Sequence, residues 1–169
     1  AGLNLNIFNN HAERVKMANL AQTVNVLQAI ILTKDEAMLL TPTYHVLNMY
    51  KVHQDATLVP LKVNCNDYVF NNEKLAAVSA SASIDKNGKT HLSIVNIDSK
   101  NAQTITINTT NKKYKTITGN ILTSKKLRDY NSFTNPSEIK PKSFSDFKMK
   151  NNDLIVTIPP FSVVVLELI

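Results

Sequence analysis

Beyond residue 57 the chain alternates apolar with polar residues, in short runs broken by turn-forming residues. A period of two places every second side chain on one face, which confines this stretch to β-strands with one apolar face each. Residues 76–84 and 90–97 flank Asp85-Lys86-Asn87-Gly88-Lys89. Asn-Gly is the strongest short hairpin signal, because both positions accept positive φ. Residues 103–109 set Ile105 and Ile107 against threonines, and 114–123 predict a further strand with Gly119 as a bulge. Residues 131–143, with Pro136 and Pro141, read as a long surface loop. Strands at 144–150 and 153–158 turn at Asn151-Asn152, and Pro159-Pro160 breaks the ladder before a last strand at 161–169. Short strands at this spacing predict an antiparallel two-sheet sandwich over residues 60–169. Ile94, Ile105, Ile107, Ile155 and Val164 would face inward.

Residues 1–56 keep a different rhythm. Leu3, Ile7, Phe8 and Ala12 share one face at helical spacing, which predicts a helix here. From Val15 the period shortens and a buried strand is expected at 15–20, although a continuing helix fits the same pattern. Two apolar runs, Val26 to Leu32 and Ala37 to Leu40, surround Thr33-Lys34-Asp35-Glu36 and suggest a small hairpin. Thr41 then serves as N-cap and Pro42 as first residue of a helix over 42–53, burying Val46, Leu47 and Tyr50. The change of character sets a domain boundary at Asp55-Ala56-Thr57, giving units 1–56 and 57–169.

Composition excludes several classes. The 169 residues suffice for one domain of ordinary size. Eighteen consecutive apolar residues occur nowhere, so no membrane partner is expected, and the first residues lack the order of an export signal. One cysteine, Cys65, allows no internal disulfide and no cysteine-based zinc site. The net charge of +6 invites a nucleic-acid partner. The lysines, however, are scattered, and only Lys112-Lys113 and Lys125-Lys126 are adjacent, without interleaved aromatics for base stacking. They describe a solvated surface.

The search for chemistry finds no complete active site. A glycoside hydrolase needs two carboxylates facing one sugar. The thirteen Asp and Glu here lie mostly in turns or at strand ends, beside Asn, Lys, Gly or Pro. His11, His45, His53 and His91 offer no metal-ligand spacing, and His45 and His53 read as helix-surface residues. Ser79, Ser81 and Ser83 are alternate positions on one strand face rather than nucleophiles. Three glycines make no phosphate loop, and Cys65 lacks a basic neighbour that would activate it. No cofactor is expected.

Specific resemblance enters at NHAERVKMANLAQTVNVLQAIILT (10–33) and MLLTPTYHVLNMYKVHQ (38–54). These runs resemble the α-L-arabinofuranosidases of glycoside hydrolase family 51, at the end of the catalytic (β/α)8 barrel. LRDYNSFTNPSEIKP (127–141) and LIVTIPPFSVVVLEL (154–168) resemble the family's C-terminal β-sandwich. The resemblance implies a mainly β fold, a jelly-roll-like antiparallel sandwich preceded by a helical remnant of the barrel. Residues 2–12 would be the seventh barrel helix, 15–20 the eighth strand and 42–53 the closing helix. Both catalytic glutamates would lie upstream of residue 1, on a missing N-terminal barrel, which leaves this portion inactive.

Barrel sites open at the C-terminal ends of the strands, where Gln22 and Asn25 would stand. The resemblance implies that Gln22 hydrogen-bonds arabinose in the intact enzyme, a role that suits an amide which donates and accepts. Asn25 is a weaker substrate-binding candidate that would hold the loop. The implied parent is a retaining enzyme that removes arabinofuranosyl residues from arabinan or arabinoxylan polysaccharide or oligosaccharide. The family's sandwich usually takes a strand from before the barrel, so an exposed sheet edge and pairing into a homo-oligomer are expected. Two rivals stand beside this: a carbohydrate-binding sandwich using Tyr68, Tyr114 or Tyr130, and a module that only packs on the barrel.

Overall fold

The computed structural model describes residues 1–109 and 112–169. In chain order it contains helix α1 (Gly2–Asn10), strands β1 (Ile31–Lys34) and β2 (Ala37–Leu40), and helix α2 (Pro42–Tyr50), which runs into a 3-10 turn, Lys51–His53. Then come β3 (Thr57–Val59), β4 (Asp67–Phe70), β5 (Glu73–Ala76), β6 (Val78–Ile84) and β7 (Thr90–Asn96). The remainder is β8 (Gln103–Asn108), β9 (Ile117–Leu122), β10 (Lys142–Ser143), β11 (Phe147–Lys150), β12 (Asp153–Ile158) and β13 (Ser162–Leu168).

The strands build a six-stranded sheet in the order β10-β9-β13-β7-β6-β3 and a three-stranded sheet in the order β11-β12-β8. Pairing between named strands is antiparallel throughout. Alternation decides which side chains meet between the sheets. Val78, Ala80 and Ala82 of β6, Leu92 and Ile94 of β7, and Val164, Leu166 and Leu168 of β13 point one way. They meet Leu154, Val156 and Ile158 of β12, with Ile105, Ile107 and Phe147 closing the side. Full burial of each large aliphatic here contributes roughly 1.5–3 kcal/mol. The predicted sandwich is present, with one register difference. Ile155 faces outward and its neighbours Leu154 and Val156 are fully buried. LIVTI offers apolar residues at both phases, and pairing decides: Ile105 opposes Val156 and Ile107 opposes Leu154.

The predicted hairpins form. Asp85–Lys89 links β6 to β7, with only Gly88 at positive φ (79°) and the Asp85 carboxylate accepting from the Asn87 and Lys89 amides. Asn151, at φ 57°, turns β11 into β12. Gly119 makes no bulge; it pairs in register with Leu166. Its reason is space, because a Cβ would stand 2.9 Å from both Leu166 Cδ2 and the Phe144 carbonyl oxygen. Loop 131–143 runs on the surface but is pinned by Asn131, which donates to the Leu40 and Ile139 carbonyls and accepts from the Ile139 amide. A hairpin of β4 and β5 (67–76), outside the sequence-predicted strands, projects with Val69, Phe70 and Leu75 exposed.

The two helices cover the other face of the six-stranded sheet. Thr41 caps α2 by accepting from the Tyr44 amide, and Val46, Met49 and Tyr50 pack with Leu122, Ile139 and Val165. Helix α1 forms where the spacing placed it, with its polar side turned to the sheet. Gly2 and Asn6 are its buried residues, while Ile7 and Phe8 are exposed. Residues 15–20 do not form a strand; they are mostly exposed coil. A strand needs ladder partners, and this segment finds none among the described residues.

Candidate functional site

Gln22 and Asn25 lie in the exposed stretch that leads from α1 to the β1–β2 hairpin. The stretch is tethered just beyond Gln22. Val24 bridges Ile31 in parallel, and the Ile31 amide donates to the Thr23 carbonyl. Asn25 adopts positive φ (57°), its amide donates to the Thr33 hydroxyl and its side-chain oxygen accepts from the Thr33 amide, each at 2.7 Å. An asparagine tolerates that backbone better than most residues, so Asn25 fastens the loop to β1. Gln22 is left on the exposed side of the tether. Around it Met17, Leu20, Val24, Val26 and Leu27 are exposed as well. This surface is unusually apolar for one in water.

Beneath the helices lies a polar layer that pattern reasoning did not find. The outward phases of β6 and β7 supply Ser79, Ser81, Ser83 and Ser93 on one face, as the serine spacing predicted for the first three. The fully buried Asn6 side chain donates to Ser79 and accepts from Ser81 (2.8 Å) and from the Tyr50 hydroxyl (2.9 Å). Asn9 donates to Ser81 and Asn10 to the Ala80 carbonyl. His53, expected on a helix surface, is held between Ser83 (2.7 Å to Nδ1) and Ser93 (2.6 Å to Nε2). Burial, aided by nearby His91, lowers its pKa from 6.5 to about 4, so the ring is neutral. Burial likewise raises the Tyr50 phenol and lowers His45.

At the end of this layer His91 of β7 is 3% exposed. Its Nε2 lies 3.1 Å from the Asp85 carboxylate, and that hydrogen bond is the largest cause holding Asp85 below the ordinary carboxylate range. The same ring's Nδ1 is buried without a hydrogen-bond partner, 3.9 Å from Glu167 Oε2. Glu167 in turn pairs with Lys89 at 3.1 Å. Strand register sets Glu167 between His91 and Thr118. A cavity of about 390 Å3 opens there between α2 and the sheet, lined by Asn48, Lys51, Asn120 and Val165 among others.

None of this makes a glycosidase centre. Asp98 is held low chiefly by the Lys100 amide, with Asn101 and Gln103 adding hydrogen bonds, and it serves as a turn anchor. A glycosidase general acid needs the opposite shift. No group of three or more His, Cys, Asp or Glu among the described residues is placed to hold a metal. Cys65 packs on the sandwich core and accepts from the Val78 amide. Of the three tyrosines considered for sugar stacking, Tyr114 is half-buried against the core beneath Lys112, and Tyr130 is exposed. Tyr68 lines a shallow cleft on the β4–β5 hairpin with Phe70, Glu73 and Leu75.

A family model for the α-L-arabinofuranosidase C-terminal domain matches residues 1–162. An intracellular exo-α-L-arabinofuranosidase of Bacteroides ovatus is 49% identical over 169 residues, covering 99% of this chain and 33% of the relative. The chain therefore spans about a third of that relative's length. Among solved structures, the GH51 arabinofuranosidase of Xanthomonas axonopodis pv. citri superposes with a TM-score of 0.96 at 38% identity, covering 99% of this chain and 34% of that one. The thermostable GH51 α-L-arabinofuranosidase of Thermotoga petrophila gives 0.83 at 26%, covering 96% and 36%.

Proposed function

The chain belongs to the α-L-arabinofuranosidase C-terminal domain family, and from that premise we propose that it is the C-terminal portion of a retaining α-L-arabinofuranosidase. The observation that carries this is likeness along the whole chain to one third of such an enzyme, at 49% identity. In the intact protein a catalytic (β/α)8 barrel precedes these residues and holds the acid/base and nucleophile carboxylates. Residues 1–56 complete that barrel and 57–169 form the sandwich that packs on it. The outward apolar side of α1 and the apolar stretch around Gln22 support this division, since both have side chains suited to a neighbour. The substrate is an arabinofuranosyl residue at the end of an arabinan or arabinoxylan chain. Two further features belong to the proposal: a role for Gln22 at the barrel mouth, and self-association through a free sheet edge.

Two assays test it. The 169-residue chain alone should leave an aryl α-L-arabinofuranoside at the uncatalysed rate, because double displacement needs the two carboxylates that this proposal puts on the preceding barrel. Turnover abolished by substituting one Asp or Glu of this chain would overturn the proposal. In the intact protein, Gln22→Ala should lower kcat/KM by about ten- to a hundredfold, the loss of one neutral hydrogen bond tightened in the transition state. Unchanged kinetics with a lowered Tm would make Gln22 a loop anchor like Asn25.

A further inference from the structure

We propose that the cavity between α2 and the β7–β13–β9 rows binds a small neutral polyhydroxylated ligand of pentose size, with hydroxyls bridging His91 Nδ1 and the Glu167 carboxylate. His91 sets the requirement. Nε2 is taken up by the Asp85 carboxylate, and Nδ1 is buried with no hydrogen-bond partner. The Glu167 carboxylate stands across from it, with Oε2 at 3.9 Å. That gap is too long for a direct hydrogen bond, and a buried ring nitrogen left unpaired is costly. A ligand hydroxyl pair, able to donate and to accept, bridges the two. Glu167, about a third exposed (32%), is the group that turns aside to admit it.

The rest of the cavity selects what carries that pair. Its volume, about 390 Å3, is that of a small-ligand pocket, roughly 300–1,000 Å3, and far exceeds one bridging water. Lys51 and Glu167 line it together, so neither an anion nor a cation is favoured over a neutral molecule. Asn48, Thr118 and Asn120 present amides and a hydroxyl that both donate and accept, as hydroxyl ligands require. Val165 adds an apolar wall that matches the C–H face of a sugar ring and gives water nothing to bond. Binding here is separate from hydrolysis, so its presence or absence leaves the catalytic proposal untouched.

The test is a titration of the 15N-labelled chain with L-arabinose, D-xylose and ribitol, set against galacturonate and glucosamine as charged counterparts. The expected result is saturable shifts of the His91 ring nitrogens and of the Lys51, Thr118 and Glu167 amides, in the millimolar range. The charged counterparts should bind at least about tenfold more weakly. Asn120→Ala and Glu167→Gln, both at solvent-reaching positions, should each weaken binding about tenfold while the remaining spectrum is preserved. His91→Phe should abolish binding, and if it unfolds the chain the other two variants decide. No saturable shift with any neutral polyol, or equal affinity in Asn120→Ala and Glu167→Gln, would overturn the proposal and leave only water at Nδ1.

Discussion

Asn6 shows how much one side chain decides in this chain. It is fully buried and shares hydrogen bonds with Ser79, Ser81 and Tyr50. Asn6→Leu keeps the branched shape but removes three hydrogen bonds of a buried side chain, so a loss of about 2–4 kcal/mol is expected from urea denaturation. A loss below about 1 kcal/mol would mean that the bonds of Ser81 to Asn9 and of Tyr50 to the Gly2 carbonyl suffice without Asn6. His53 carries the pH dependence. Unfolded, it takes a proton near 6.5, whereas folded it resists until about 4. Between those values the unfolded state binds more protons, so stability is complete above 6.5 and falls as pH drops towards 4. The span is on the order of 2–3 kcal/mol. His53→Gln should flatten the profile of denaturation midpoint against pH in this window, and an unchanged profile would assign the acid sensitivity elsewhere. Neither role was legible in the sequence. Asn6 and Ser81 are 75 residues apart, and an asparagine among apolar helix neighbours gives no sign that its partners wait on a distant strand.

At the scale of elements the sequence was most legible where one feature decided alone. Alternation with Asn-Gly and Asn-Asn turns located the hairpins, and Thr41-Pro42 located the start of α2, because each signal is local chemistry. Legibility failed where a choice depended on partners. LIVTI has two apolar phases, and only the β8 register separates them. The contrast gives a direct check: Leu154→Ala should cost about 2–5 kcal/mol in thermal or chemical unfolding, and Ile155→Ala under about 1.5 kcal/mol. Equal losses would mean the phase is wrong. Gly119 failed for a related reason, since glycine in a strand signals either a bulge or a close approach. The approach of Phe144 and Leu166 decides for the second. Gly119→Ala should therefore lower stability by about 1–3 kcal/mol through overpacking, without the gain that relief of backbone freedom would bring to an open site.

Across the whole molecule, the interior and the exterior of residues 1–40 disagree in polarity. Helix α1 turns asparagines towards the sheet and Ile7 and Phe8 away from it, and the stretch beyond it exposes Met17 and Leu27. The helical spacing grouped the apolar residues on one face, but the sheet presents serines, and hydrogen bonding chose the asparagine face. The apolar side is then surplus in this chain and matched in the proposed parent, where the barrel would cover it. Replacing Ile7, Phe8 and Leu27 together by Gln separates the two situations. Gln keeps helix propensity and net charge nearly unchanged, so only apolar surface is removed. In the 169-residue chain the triple variant should keep its Tm, reach higher soluble concentrations and bind less of an apolar dye, since surface changes away from contacts shift stability by about 0.5 kcal/mol or less. In the intact protein the same substitutions strip a buried face and should lower Tm by several degrees. A lowered Tm in the isolated chain would show that these side chains already pack within it. An unchanged Tm in the intact protein would mean that no barrel covers them.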